Sequence, residues 1–150
     1  MIAIVLPVIF VIVDFAFIMA VSAGFAHAIV FVDLPSLIAV PLLAWLSAAA
    51  GFGFKRSFAA WRAPARADAS SAELRAALAW TGSLAGWIAA YAGFAAASGI
   101  VLTLTNISVP EKVGANLAVA LLSLLYAALA ELFLVLPART VAARRLADLA

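Results

Sequence analysis

The sequence predicts an all-α, polytopic membrane protein with four transmembrane helices, both termini cytoplasmic and the third helix extended into the cytoplasm. Three observations carry this expectation. Of the 150 residues, 69% are hydrophobic and 11% charged, with a mean hydropathy of +1.24. An ordinary soluble domain is about 45–50% apolar and about 25% charged. The apolar residues fall into four long segments, and the positive charge gathers in one of the three intervening turns and after the last segment. No globular core of this length hides so much apolar surface, so the solvent of most side chains is lipid. The chain is read as a single membrane domain over 1–150, with helices at about 1–28, 36–62, 71–105 and 112–147.

The first segment, 1–23, is apolar and interrupted only by Asp14. Ala26, His27 and Ala28 resemble a small-x-small cleavage site. However, no Lys or Arg precedes the apolar run and an acid sits inside it, so a retained helix is expected rather than a cleaved signal. Residues 31–36, FVDLPS, read as a bend into the second helix: Pro35 suits a first helical turn and Asp33 is placed to cap it. The second apolar stretch, 37–54, carries no charge and spans roughly 27 Å at about 1.5 Å per residue. Pro41 falls in its first turns, where a missing N–H costs least.

Residues 55–75 change character. Lys55, Arg56, Arg62, Arg66 and Arg75 face Asp68 and Glu73, five positive charges against two negative for a net +3, and Arg139, Arg144 and Arg145 follow the fourth segment. The other two turns hold a single cation, Lys112. The positive-inside rule puts the 55–75 loop and the C-terminus in the cytoplasm, and four crossings return the N-terminus there too. Ser70, three residues before Glu73, marks a capping box that opens the third helix. No proline follows until Pro110, so this helix reaches about 50 Å against about 30 Å of hydrocarbon. The surplus forms a stalk, with Trp61 and Trp80 expected near the inner interface. The fourth helix runs from about Lys112 past Pro137, and its arginine-rich tail is expected to lie along the inner surface.

On the third helix Ala85, Ala89, Ala92, Ala96, Gly99 and Thr103 recur at spacings of three and four, which places them on one face. Ala120, Ser123, Ala127 and Ala130 form a second small stripe on the fourth. Such stripes let helices approach closely in lipid, so either they pack the subunit internally or they line a space occupied by another protein's helix. Two acids lie within apolar segments: Asp14, which must be protonated, paired or facing water, and Glu131, near the cytoplasmic end of its helix. His27 is expected on an outer loop without a role. There is no cysteine and only this one histidine, which leaves no disulfide, thiol nucleophile or multi-histidine metal centre. No glycine-rich phosphate loop or Ser–His pair is present. An enzyme, a cofactor, a metal site and a nucleic-acid partner are all unexpected.

Three blocks resemble the MotA branch of the MotA/TolQ/ExbB proton-channel superfamily. FVDLPSL, over 31–37, looks like the F-I-D-x-P-S-L opening of that family's second helix. NISVPEKVG, over 106–114, is similar to its N-L-x-x-P-x-x-I-G turn. AVALLSLLY, over 118–126, with Leu136 and Pro137, follows its fourth helix, A-V-A-L-L-T-T-x-Y-G…L-P. The resemblance implies a pentameric ring in the bacterial inner membrane around two single-span helices of a B-type (MotB/ExbD-like) partner, whose aspartate carries the ion. It also implies that the third and fourth helices line the inside, through Ala89, Ala92, Ala96, Gly99, Thr103, Ser123 and Ala127. Two departures stand out. Ala96 replaces the family's pore threonine, which removes a sodium ligand. Roughly twenty to thirty residues replace the large cytoplasmic domain that grips the flagellar rotor, the length of an ordinary connection. The expected function is a short, ion-driven (proton) stator-type subunit. The alternatives are a non-conducting ring that encloses lipid or organises other membrane proteins, and a small proton-coupled exporter using Asp14.

Overall fold

A computed structural model describes residues 9–10, 12–14, 16–17, 20 and 33–149. The expected first helix, 1–28, is therefore described only in part: its described residues up to 20 are helical, and Asp14 is exposed. His27, the 26–28 motif, and Phe31 and Val32 of the first family-like block lie outside the described residues. Among the described residues there is no strand; the secondary structure is helical throughout.

The first fully described helix, α1, spans Leu34–Phe52, with a proline at its start and Asp33 as N-cap. The Asp33 carboxylate accepts from the Ser36 N–H at 3.3 Å, satisfying one of the donors that every helix start leaves open. The expected single helix over 36–62 is broken. At Gly53 the backbone takes φ +84°, a conformation glycine enters without steric cost. The chain turns by 109° there into α2, Phe54–Arg62, followed by a 3-10 turn at Ala63–Ala65.

α3 spans Ser71–Thr105, the bounds expected from the sequence, and its capping box is complete: the Glu73 N–H donates to Ser70 Oγ while the Glu73 carboxylate accepts from the Ser70 N–H. After a tight turn at 106–109, α4 runs Pro110–Ala130. A single π-helical turn follows at Glu131–Val135, and α5 spans Leu136–Asp148. The π turn has a local cause. Pro137 offers no N–H, and its ring would clash with the carbonyl of Phe133 in a regular α-helix. The wide turn just ahead of it, with the Leu136 N–H donating to the Glu131 carbonyl, absorbs the conflict without ending the helix.

α3, at 35 residues, and the continuous rod Pro110–Asp148, at 39, are each long and apolar enough to cross a membrane; α1 joined to its bent continuation makes a third candidate. At about 1.5 Å per residue these two rods are roughly 52 and 58 Å long, so about 20 Å or more of each extends past a hydrocarbon layer of about 30 Å. The arginine-rich tail does not lie flat: α5 continues the rod and packs along the first turns of α3. A small second core of Ala63, Ala69, Leu74, Ala77 and Ala142 holds this end together.

The main core lies where α1, α3 and α4 meet. Its contact surfaces are largely alanine (Ala44, Ala48, Ala92, Ala127, Ala130), together with the larger Val40, Trp80, Leu84, Ile88 and Val135. Small side chains bring helix backbones close, which supplies van der Waals contact when lipid removes the hydrophobic drive for association. Trp80 does not sit at a lipid interface. It is fully buried, with Trp61 of α2 against it edge-on at 5.5 Å, and its Nε1–H has no acceptor among the described residues.

Candidate functional site

α3 and α4 approach closely at Gly99. A Cβ built there would stand 2.7 Å from Ala120 Cβ and 3.0 Å from the Asn116 carbonyl oxygen. The two helices are seated on each other at this point with no room for a methyl group. Beside the contact is a cleft of about 470 Å³, bordered by Ser36 and Val40 of α1, Tyr91 and Ser98 of α3, and Asn116 and Ser123 of α4. Gly99 and Ser123 of the expected lining residues meet here.

The remaining five divide. Ala92, Ala96 and Ala127 are buried within the single chain; Thr103 is half-buried and Ala89 exposed. The face that α3 turns inward uses Ala92, Ala96 and Gly99 as the stripe predicts, but lower down it passes through Ile88 and Leu84 rather than Ala89 and Ala85. Most of the small stripe therefore packs the subunit's own helices, and Ala89 points away from that packing.

Three hydroxyls at or beside the cleft are engaged by their own helices. Ser123 Oγ donates to the Val119 carbonyl at 2.9 Å, Ser98 Oγ to Phe94 at 2.8 Å and Thr103 Oγ1 to Gly99 at 2.8 Å. Each proton is committed one turn back, which leaves the oxygen as an acceptor only. A hydrogen bond of 2.9 Å between Tyr91 and Ser47 ties α3 to α1, and the Asp33 N–H donates to the buried Tyr126 hydroxyl at 2.6 Å, tying α1 to α4. These tyrosine links are absent from the sequence reading, because hydroxyl spacing along a helix does not reveal which neighbour it meets.

The two acids of the apolar segments differ in setting. Asp14 is exposed on its helix. Glu131 is half-buried and opens the π turn. Single π turns inside α-helices recur at functional positions, although Pro137 accounts for this one. At the basic end of the molecule the 63–70 loop is locked. Arg145 of α5 donates to the carbonyls of Pro64 at 3.1 Å and Ala67 at 2.8 Å, and also to that of Arg66. Arg66 holds Asp68 at 2.8 Å and Glu73 at 2.9 Å, and its hydrogen bond keeps the Asp68 carboxyl below the usual range. The 63–70 segment is thus a short turn clamped by one guanidinium. Comparison of the chain with protein-family models, with curated proteins and with solved structures found no match.

Proposed function

We propose that this chain is a MotA-like, ring-forming subunit of a proton-driven, stator-type complex in the bacterial inner membrane. In this reading it makes four crossings with both termini cytoplasmic, five copies form the ring, and the ring surrounds a single-span B-type partner. The fourth-helix block, Ala118 to Tyr126 with Leu136 and Pro137, carries the proposal. It falls on a helix that packs tightly against α3 through small residues, the kind of hairpin such a wall requires. Ala89 and Thr103 remain accessible for contact with a partner helix. Ser123 borders the cleft but is fully buried, with its hydroxyl proton held by the Val119 carbonyl.

The test is proton flux. The complex isolated through a tag on this chain and reconstituted into vesicles is expected to take up protons under an imposed potential and to ignore sodium. Ser123→Ala is expected to lower that flux severalfold. Unchanged flux removes Ser123 from the mechanism, and no flux above empty vesicles removes conduction.

A second reading, a non-conducting ring that holds lipid or other membrane proteins, is favoured by one specific observation. Where the family has a pore threonine stands Ala96, and the nearby hydroxyls of Thr103 and Ser123 are turned into their own helices. The clamped 63–70 turn offers no rotor-sized surface under either reading.

A further inference from the structure

α2 is divided lengthwise into three sectors. Ser57 and Ala60 are buried against the bundle, with half-buried Trp61 beside them. Phe54 and Phe58 are 53% and 51% exposed and stack against Trp45 of α1 at ring separations of 6.0 and 5.0 Å. Lys55 and Arg62 occupy the next sector round, with Arg56 beyond them, and all three are exposed. The helix leaves α1 at 109°. If α1 crosses the bilayer, α2 therefore runs close to its plane. The exposed phenylalanines then face the acyl chains alongside Trp45, and the cations sit at headgroup level.

The surrounding charge is complementary to an anion. Of the acids of this end, Asp68 and Glu73 are taken by Arg66, and Asp148 lies at the far end of α5. Glu73 also borders, with Arg56, a cleft of about 320 Å³ between α2 and α3, so Arg56 is the least free of the three cations. Lys55, Arg56 and Arg62 form no ion pair among the described residues. A second open cleft of about 450 Å³ lies at the bend, bordered by Gly51, Gly53, Lys55 and Arg56. Amphipathic helices with aromatic residues on one side and Lys or Arg on the other bind the interface of anionic membranes.

We propose that α2 is an interfacial helix that binds anionic phospholipid headgroups through Lys55, Arg62 and Arg56 and anchors the bend at Gly53 to the membrane surface. This holds whether or not the chain forms a ring or conducts. The full chain, purified in mild detergent, is titrated with phosphatidylglycerol and with phosphatidylcholine of the same acyl chains, and bound lipid is counted by native mass spectrometry. The wild type is expected to prefer phosphatidylglycerol by about tenfold or more, at about fivefold for each engaged cation. K55Q/R56Q/R62Q is expected to lose that preference, while R139Q/R144Q, on α5, retains it. Equal uptake of the two lipids by the wild type, or a preference surviving in the triple variant, overturns the proposal. So does an equal loss in the α5 variant, which would indicate a diffusely positive end. Should the triple variant fail to fold, the wild type decides: the preference at about 0.1 M salt should collapse at about 1 M, where the screening length falls from about 10 to about 3 Å. Persistence at high salt counts against the proposal.

Discussion

Gly99→Leu is expected to unseat α3 from α4 and to be the most damaging single substitution outside the tryptophan core. Even the first added carbon would lie 2.7 Å from Ala120 Cβ and 3.0 Å from a backbone oxygen. Neither is the far end of a flexible side chain, so the helices themselves must part. Overpacking typically costs about 1–3 kcal/mol, and a leucine at a backbone-to-backbone contact belongs at the upper end, about 3 kcal/mol. Gly93→Ala, on the same helix, is the control. An added Cβ there meets nothing within 4 Å, and alanine is favoured over glycine in a helix by about 0.8–1.0 kcal/mol. Thermal unfolding in detergent should therefore move down for Gly99→Leu and hold or rise for Gly93→Ala. Similar stability for wild type and Gly99→Leu would show that the α3–α4 contact is looser than described.

Arg145→Ala is expected to release the 63–70 turn while leaving the membrane core in place. One guanidinium serves three main-chain carbonyls, of Pro64, Arg66 and Ala67, and hydrogen bonds to a charged group contribute about 1.5–3 kcal/mol each. Arg66 and Ala67 are exposed and regain water, so the net loss is smaller than that sum, at about 2–3 kcal/mol. The readout is local: faster hydrogen exchange over 63–70 and faster tryptic cleavage after Arg66, with the exchange of 84–96 unchanged. Arg145→Lys should rescue less than half of the effect, because an ammonium cannot span three carbonyls as a planar fork does. The Arg66 ion pairs cannot substitute for this clamp. Their side chains are 42–76% exposed, and such pairs contribute about 0–1 kcal/mol.

What the sequence made legible follows from how local each signal is. The bounds of α3 were readable because both ends are written in short-range chemistry, the Ser70–Glu73 capping box at one end and the Asn106-to-Pro110 turn at the other. The bend at Gly53 was not, because the apolar run over 37–54 includes it and glycine within such a run is usually tolerated. Its positive φ becomes visible only in the fold, and with it the separate, amphipathic α2. Of the small stripe on α3, Ala92, Ala96 and Gly99 are buried, but periodicity alone cannot say whether a small residue admits a neighbour of the same chain or of another. Here it admits α1 and α4. The Arg145 clamp joins residues about eighty positions apart, and nothing in their spacing announces it. The tail's positive charge pointed instead to the membrane surface.

The central claim is that copies of this chain form a ring around something. Its most direct test is the subunit count of the purified protein by native mass spectrometry in mild detergent, with any co-purifying chain identified. Five copies with a second, single-span protein attached is the predicted result, and five copies with lipid alone would select the non-conducting ring. Two copies would contradict the ring altogether and return attention to Asp14, where loss of exchange in Asp14→Asn would mark a small exporter.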